Sequence, residues 1–171
     1  MGMDSGMRVG MEANMRVGTG WDLHRLEEGR SLVIGGVSIP SSKGSVAHSD
    51  GDVLIHAIID AMLGAAGMDD IGTLFPDTDP SYCGADSSEL LSKVVELVAA
   101  CGFHVCNLDT TVVIQSPKLG PYKAAIRQRL ASLLGVEPSC VGVKAKTAEG
   151  ILGELGTGSA IMAQAVVLLG T

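Results

Sequence analysis

The fold follows from one segment, HSDGDVLIHAIIDAM at positions 48–62. From about Asp50 to Ala66 the apolar residues recur with a helical period, and Gly67 is a suitable C-terminal stop. We therefore predict a helix that packs an apolar face into a core. Two histidines and three acids lie along its first turns, and a core helix has no need of them. Their presence indicates that the helix also carries a functional site.

A second polar pair lies upstream, in the segment Trp21-Asp22-Leu23-His24. A spacing of two residues puts Asp22 and His24 on one face of an extended strand. With His56 they offer one carboxylate and two imidazoles, which suit zinc, and three protein ligands leave one position of a tetrahedral ion open. We predict a divalent-metal site. The alternative is that Asp22 and His24 end a strand in solvent while His56 is a hydrogen-bonded helix histidine.

Other polar residues of the helix allow two interpretations each. Asp60 lies one turn after His56, so it either orients the imidazole or is a solvated acid on the helix face. His48 and Ser49 stand at the predicted helix entrance, where free backbone N–H groups favour an anion such as a phosphate. The alternative is that Ser49 or Asp50 is simply the N-cap.

The rest of the chain alternates strand and helix patterns without a break between domains. Strand patterns end in turn residues, and Gly35-Gly36 predicts a hairpin. Capping-box spacing at 86–89 and a proline in the first-turn position each open a helix. The predicted strands are 15–21, 32–34, 37–39, 107–115, 141–146 and 159–169, and the other predicted helices are 86–100 and 121–134. The fold class is α+β, a single domain whose mixed sheet is covered by about three helices.

Composition narrows the class of protein. The chain has 171 residues, a formal charge of −7, 3% aromatic residues and four cysteines without a Cys-x-x-Cys pair. The charge argues against non-specific nucleic-acid binding, and the cysteines suggest neither a zinc knuckle nor a disulfide framework. The most apolar segment, 160–169, is shorter than the roughly 20 residues that span a bilayer. We expect a soluble protein of a reducing, cytosol-like compartment, with residues 1–14 as a flexible extension of a domain at 15–171.

Three loops add further candidates for binding. The acid-rich loop 69–80 could hold substrate hydroxyls, although acids are also common in plain turns. The turn 116–121 joins a strand to a helix, so its N–H groups and lysine could contact a base or a phosphate. Residues 144–149 supply two cations, a hydroxyl and a carboxylate, which can grip a polyphosphate and a second metal or can be an ordinary strand end.

Several long motifs occur in one order along the chain: GTGWDLH at 18–24, IGGVSIP at 34–40, AHSDGDVLIH at 47–56, DIGTLFPDTDP at 70–80 and VKAKTAE at 143–149. Together they closely resemble the 2-C-methyl-D-erythritol 2,4-cyclodiphosphate synthase family, from Met15 to the C-terminus. The resemblance implies a lyase of the non-mevalonate isoprenoid pathway. The substrate would be 4-diphosphocytidyl-2-C-methyl-D-erythritol 2-phosphate, and the products the cyclodiphosphate and CMP.

The resemblance also implies an assembly and its cofactors. It implies a homotrimer with active sites between subunits, Zn²⁺ held by Asp22, His24 and His56, and Mg²⁺ or Mn²⁺ held by Glu149 with substrate phosphates. It further implies a central cavity that can hold an isoprenoid diphosphate. A bacterial cytoplasm fits this family better than an organelle entered after removal of a transit peptide.

Residue roles are carried over from the resemblance position by position. His48 and Thr147 would stabilise the transition state, the segment from Asp70 to Asp79 would hold the erythritol portion, and the 114–120 turn would line the cytidine pocket. The residues implied to bind substrate are Asp22, His24, His48, Ser49, Asp70, Ile71, Gly72, Phe75, Pro76, Asp77, Thr78, Asp79, Ile114, Gln115, Ser116, Pro117, Lys118, Leu119, Gly120, Ala145, Lys146, Thr147, Ala148 and Glu149.

This chain departs from the family pattern at two places. Many members have an arginine in the loop aligned with Gly156-Thr157, and threonine where this chain has Lys146. Lys146 can replace the missing charge but not the bidentate fork of a guanidinium. No role is therefore carried over to Glu154 or Thr157.

Two other functions are compatible with the same residues. A zinc-dependent phosphoesterase would use the open metal position for hydroxide, so that water oxygen enters the product. A trimeric binding protein would enclose a hydrophobic ligand between its apolar C-terminal strands and use the metal only for structure. Replacement of His56 with alanine distinguishes the binding protein from an enzyme. It should abolish turnover if the metal is catalytic, whereas an unchanged rate would favour the binding protein.

Overall fold

The computed structural model describes residues 14–76, 78–82 and 84–171. Its strands are β1 (Arg16–Glu28), β2 (Leu32–Ile34), β3 (Val37–Ile39), β4 (Lys43–Val46), β5 (His104–Val113), β6 (Val141–Lys146) and β7 (Ala160–Gly170). Its α-helices are α1 (Val53–Ala66), α2 (Ile71–Leu74), α3 (Ser87–Ala100), α4 (Lys123–Leu134) and α5 (Glu154–Thr157). Short 3₁₀ turns cover Pro80–Tyr82, Gly120–Tyr122 and Pro138–Cys140.

A five-stranded sheet in the order β4-β1-β7-β5-β6 organises the molecule. β1 and β5 both pair antiparallel with β7, whereas β5 and β6 pair in parallel. β2 and β3 form a separate antiparallel hairpin. The three long helices α1, α3 and α4 contribute buried residues to one hydrophobic core with the sheet. The predicted α+β class, with a mixed sheet and about three helices, is confirmed.

Two glycines bring α1 unusually close to β1. A Cβ built on Gly18 would lie 1.9 Å from the carbonyl oxygen of Ala61, and one on Gly20 would lie 2.2 Å from that of Ala57. Only glycine fits these contacts, because any side chain would overlap the helix backbone. Asp22 and His24 follow on the same face of the strand. The packing therefore presses the strand that carries these two residues against the helix that carries His56.

The N-terminus of α1 is closed by Asp52. Its fully buried carboxylate accepts hydrogen bonds from the N–H groups of Leu54 and Ile55, both at 3.1 Å. It also accepts from Gly35 at 2.9 Å and Gly36 at 2.6 Å, in the β2–β3 turn. One carboxylate thus caps the helix and fixes the hairpin to it.

This cap corrects two predictions about the helix entrance. The N-cap is Asp52, not Ser49 or Asp50, because α1 begins at Val53 rather than at about Asp50. His48 and Ser49 therefore lie before the helix entrance, and Asp52 already occupies two of the N–H groups there. Those two N–H groups are therefore not free for a phosphate, as the prediction required.

Other differences concern length and short elements. β1 extends to Glu28 instead of ending at position 21, so Asp22 and His24 lie within a strand, and the alternative that they end it in solvent is wrong. Strand β4 was not predicted, and the predicted loop 69–80 contains α2 and the start of a 3₁₀ turn. Between residues 14 and 171, as described, no helix is long and apolar enough to cross a membrane. Most of the predicted extension, residues 1–13, lies outside the described residues.

Candidate metal centre and a second cavity

Three side chains from β1 and α1 converge on one point. Oδ2 of Asp22 lies 3.0 Å from Nε2 of His24 and 3.0 Å from Nδ1 of His56. The two imidazole nitrogens are 3.1 Å apart, with the rings edge to face. Among the described residues this is the one group of three histidine, cysteine or acidic side chains whose ligand atoms meet in this way. The three residues predicted from spacing are brought together.

The charges of this group depend on one another. Burial raises the pKa of Asp22. Hydrogen bonds from His24 and His56 lower this pKa by more than burial raises it, so it lies well below its usual range. Burial lowers the pKa of His56, whereas its hydrogen bond to Asp22 raises it, and the net direction is upward. The centre therefore holds an ionised carboxylate, and this carboxylate stabilises a positive charge on the neighbouring imidazole.

The donor set fits a metal ion. Three acceptor atoms face one another with edges of 3.0–3.1 Å, and a single proton can bridge only one edge of that triangle. A tetrahedral zinc ion, with bonds of about 2.0–2.1 Å, requires its ligand atoms about 3.3 Å apart. The observed edges are close to that value, and the other nitrogen of His56 is hydrogen-bonded on its far side, as metal-binding histidines usually are.

The far side of the His56 ring meets two serines that the sequence did not single out for this role. Nε2 lies 3.1 Å from Oγ of Ser49 and 3.0 Å from Oγ of Ser87. Ser87 is the first residue of α3 and is fully buried, and its hydroxyl donates to Oδ1 of Asp50. Sequence reasoning found the helix start through Asp86 and Glu89 but had no signal for this long-range contact. Ser49, which was predicted to bind substrate, therefore also contacts a histidine of the candidate metal centre.

A cavity of about 340 Å³ opens over the centre. Nine of the predicted site residues line it, together with five other residues. The predicted ones are Asp22, His24, His48, Ser49, His56, Ile71, Gly72, Phe75 and Asp79, and the others are Val46, Ala47, Asp60, Tyr82 and Leu90. We call this the metal cavity. Asp77 lies outside the described residues, and Asp70, Pro76 and Thr78 are exposed and do not line the cavity.

Asp60 and Asp70 fasten α2 to its neighbours. Oδ1 of Asp60 accepts from the N–H of Ile71 at 2.8 Å, and burial raises the pKa of Asp60. In the described part of the chain it makes no hydrogen bond to His56, so it is neither the orienting acceptor nor a fully solvated acid. Asp70 caps α2 through Thr73, whose N–H lowers the pKa of Asp70.

A second cavity, of about 440 Å³, lies where β5 and β6 end. Most of the predicted nucleotide-contacting residues line it, with Lys123 as a cation that the sequence reasoning missed. Its lining residues are Ile114, Pro117, Lys118, Leu119, Gly120, Lys123, Ala145, Lys146, Thr147 and Glu149. We call this the lysine cavity. Lys123 stands two residues after Pro121 at the start of α4, and that position was the signal that could have found it.

Three predicted residues of this region lie off the cavity lining. Ala148 is buried against Leu155 and Ala160, and Ser116 is exposed. Gln115 is half-buried, with an Oε1 atom that is buried and has no hydrogen-bond partner in the described chain. Within the cavity, the hydroxyl of Thr147 donates to the carboxylate of Glu149, whose backbone has a positive φ of 52°. A strained backbone at a polar residue is typical of functional sites.

The two cavities are separate on one chain. They share no lining residue. β1, which carries Asp22 and His24, is separated from β6 by β7 and β5, a displacement of about 14 Å at the usual strand spacing. A single copy therefore does not join the two halves of the predicted site.

Comparison with known proteins identifies the family of the chain. The YgbB family model matches residues 15–170. A 2-C-methyl-D-erythritol 2,4-cyclodiphosphate synthase of Laribacter hongkongensis is 55% identical over 156 residues, which cover 91% of this chain and 96% of that protein. A chloroplastic enzyme of the same name from Catharanthus roseus is 52% identical and is matched over 91% of this chain and 66% of its own length.

Solved structures give the same result. A 2C-methyl-D-erythritol-2,4-cyclodiphosphate synthase in its CDP-bound form has a TM-score of 0.84 and 44% identity, over 90% of this chain and 99% of that one. A CDP complex of the Plasmodium falciparum protein has a TM-score of 0.79 and 34% identity, over 91% and 96%. The match in sequence, fold and length shows that the chain belongs to the YgbB family of 2-C-methyl-D-erythritol 2,4-cyclodiphosphate synthases.

Proposed function

We propose that this chain is a phosphorus–oxygen lyase of the non-mevalonate isoprenoid pathway. It converts 4-diphosphocytidyl-2-C-methyl-D-erythritol 2-phosphate into 2-C-methyl-D-erythritol 2,4-cyclodiphosphate and CMP. The 2-phosphate oxygen attacks the β-phosphorus of the same molecule, and the bond from that phosphorus to the CMP oxygen breaks. The observation that carries the proposal is the triangle of Asp22, His24 and His56 inside the metal cavity of a chain from this family.

An intramolecular attack requires no protein nucleophile. The work of the site is to hold the 2-phosphate and the β-phosphate in line and to stabilise the charge on their oxygens. A zinc ion held by Asp22, His24 and His56 would supply Lewis acidity and a template for these oxygens. His48 lines the same cavity and would donate to a phosphate oxygen. Asp70 and the residues from Phe75 to Asp79 would hold the erythritol hydroxyls.

The lysine cavity would take the CMP portion of the substrate. Its three lysines, Lys118, Lys123 and Lys146, offer positive charge that suits the departing phosphate. Thr147 would donate to a phosphate oxygen, and Glu149 would help to hold Mg²⁺ or Mn²⁺ together with the substrate's phosphates. Lys146 would supply charge in place of the arginine that many family members carry nearby.

The separation of the two cavities supports a homotrimer with active sites at the subunit interfaces. The metal cavity of one copy would face the lysine cavity of the next. The outer face of the sheet offers the necessary surface, because Val17, Trp21 and Leu23 are 68%, 65% and 47% exposed, and Val166 on the adjacent strand is 40% exposed. A monomer rarely exposes such a row of apolar side chains. A central cavity between these faces would accept an isoprenoid diphosphate.

For the compartment, we propose the cytoplasm.

The experiment that tests the function follows the phosphorus atoms. The purified protein, with Zn²⁺ and Mg²⁺, is incubated with the cytidine substrate in water enriched in ¹⁸O, and the products are followed by ³¹P NMR and mass spectrometry. We expect CMP and a cyclic diphosphate without ¹⁸O. Incorporation of ¹⁸O would identify a phosphoesterase instead, and recovery of unchanged substrate would refute the proposal.

A further inference from the structure

We infer that Asp50 and Ser87 are positioning residues that fix the tautomer of His56 and so prepare its Nδ1 atom as a metal ligand. The inference rests on the metal centre of the proposed function and goes beyond it. It concerns two residues that lie behind the histidine, on the side away from Asp22 and His24. Neither residue lines the metal cavity.

The hydrogen bonds have only one consistent direction. A carboxylate is an acceptor only, so the hydroxyl of Ser87 must donate its single proton to Oδ1 of Asp50. The oxygen of Ser87 is then left with acceptor capacity toward Nε2 of His56, 3.0 Å away. The proton of that contact must therefore sit on Nε2. When a metal ion replaces the proton that Nδ1 shares with Asp22, the neutral imidazole protonated at Nε2 presents a lone pair at Nδ1, the atom that faces Asp22 and His24.

Ser49 is compatible with the same direction. Its oxygen accepts from the N–H of Gly51 at 3.2 Å and lies 3.1 Å from Nε2 of His56. It can share the Nε2 proton with Ser87, but it is not tied to a carboxylate. Only the pair of Asp50 and Ser87 therefore dictates the direction.

The pair is built rigidly into the fold. Ser87 is fully buried at the start of α3. Oδ2 of Asp50 accepts from the N–H of Ser87 at 3.2 Å, and the N–H of Asp50 donates to the carbonyl of Ala85 at 3.0 Å. The segment before α1 and the start of α3 are thus joined at three points. Such anchoring is what an orienting group requires, because a mobile hydroxyl could rotate and donate to either partner.

The test measures metal affinity rather than activity. The apo-protein is titrated with Co²⁺, followed by its visible absorption, and with Zn²⁺ against a chelator. We expect Ser87→Ala to weaken metal binding about 10- to 100-fold, the usual effect of removing such a partner. Ser87→Thr, which keeps the hydroxyl, should retain most of the affinity. Ser88→Ala is the matched control, since this neighbouring buried serine makes no hydrogen bond to His56 in the described chain.

Asp50→Asn separates orientation from general stability. An amide at position 50 can donate to the oxygen of Ser87, which then donates to Nε2 of His56 and favours a proton on Nδ1. We expect this near-isosteric change to weaken the metal affinity as well, but to have little further effect in a Ser87→Ala background, because the direction is then already lost. Unfolding midpoints of all variants confirm that the measured proteins are folded.

The outcomes are distinct. Wild-type affinity in both Ser87→Ala and Asp50→Asn would overturn the inference and leave the proposed function standing. Additive losses in the double variant would also overturn it, because the two residues would then act separately. Absence of metal binding by the wild-type protein would refute the metal centre and the inference with it.

Discussion

The metal cavity and the lysine cavity are built in different ways. In the metal cavity, the candidate metal ligands and the groups behind them come from β1, α1, the segment before α1 and the start of α3, and a dense set of hydrogen bonds fixes them. The lysine cavity lies at strand ends and turns, and its cations and Glu149 carry few contacts within the described chain. The difference teaches that folding organises the first group of residues, whereas under the proposed function a substrate and a neighbouring copy would organise the second.

The largest expected effect comes from removing a metal ligand. His56→Ala deletes one corner of the triangle, and the loss of metal should lower the rate of CMP release by about 10³-fold or more. His104→Ala, at the exposed start of β5, is the control and should retain the wild-type rate. Turnover is measured by CMP release with Zn²⁺ and Mg²⁺ present. A rate for His56→Ala within twofold of the wild type would show that the centre is not catalytic.

The next effect tests whether the two cavities meet across a subunit interface. His56→Ala and Glu149→Gln damage different cavities, so co-assembly of the two inactive chains should restore some complete sites. In a ring of three copies that contains both variants, about one interfacial site in three is intact, against about a quarter in an unselected random mixture of equal amounts. Differently tagged chains are co-expressed, and mixed assemblies are isolated through both tags before CMP release is measured.

The matching control places both changes in one cavity. Here an Asp22→Ala chain is co-assembled with a His56→Ala chain. No copy then has an intact metal cavity, so the mixed assemblies should stay inactive. If the first pair also stays inactive in mixed assemblies, each site is formed within a single copy and the proposed arrangement is wrong.

The sequence was a good guide where a pattern is local. The helical period up to Ala66 and the hairpin around Gly35-Gly36 follow from neighbouring residues. The predicted C-terminal end of α1 and the predicted bounds of β2 and β3 were therefore correct. The metal triad was found because imidazole and carboxylate are rare beside apolar patterns. These features need no knowledge of what lies across the fold.

Long-range contacts were not visible in the same way. Asp52 was missed as a cap because the predicted helix began at about Asp50, and its bonds to the distant hairpin have no local pattern. The contact of Ser87 with His56 likewise joins residues 31 apart. β4 is only four residues long and has weak strand propensity, but pairing with the extended end of β1 stabilises it. The separation of the two cavities depends on strand order, which periodicity does not report.

The close contact of β1 with α1 offers a direct way to loosen the metal cavity. Gly18→Ala would force a methyl group against the carbonyl of Ala61, and we expect a loss of about 3 kcal/mol in the free energy of unfolding. Gly64→Ala is the matched control on α1, the helix that Gly18 contacts, and a Cβ built at position 64 meets nothing within 4 Å. It should raise stability by about 0.5–1 kcal/mol, because alanine favours helix. Urea unfolding measures both, and equal effects of the two changes would refute this account of the packing.

The cap of α1 should be more sensitive than an ordinary one. Asp52→Asn leaves one acceptor oxygen for four N–H donors, so we expect a loss of about 2 kcal/mol in the free energy of unfolding. Asp86→Asn, at the exposed cap of α3, changes a side chain that within the described residues accepts only from the N–H of Ser88, so it should cost only a few tenths of a kcal/mol. Denaturant unfolding of the two variants compares them. Similar losses would mean that Asp52 does not hold the hairpin.

The smallest expected effect concerns Asp60, at the edge of the metal cavity. Burial raises its pKa, with Asp70 and Asp22 adding repulsion and His56 opposing them. The folded state therefore holds a proton on Asp60 more tightly than the unfolded state does, so its contribution to stability falls as pH rises through the folded pKa. Asp60→Asn keeps an acceptor for Ile71 and removes the charge.

In metal-free protein at pH 7, Asp60→Asn should increase stability by less than about 1 kcal/mol, because the group is half exposed and screened by solvent. The gain should vanish below about pH 4, where the carboxyl of the unfolded chain is protonated as well. Asp60→Ala removes the acceptor too and should instead lose about 1 kcal/mol across the whole range. Urea unfolding at several pH values separates the two. A gain from Asp60→Asn that stays constant down to pH values of about 3.5 would show that the charge of Asp60 is not its cause.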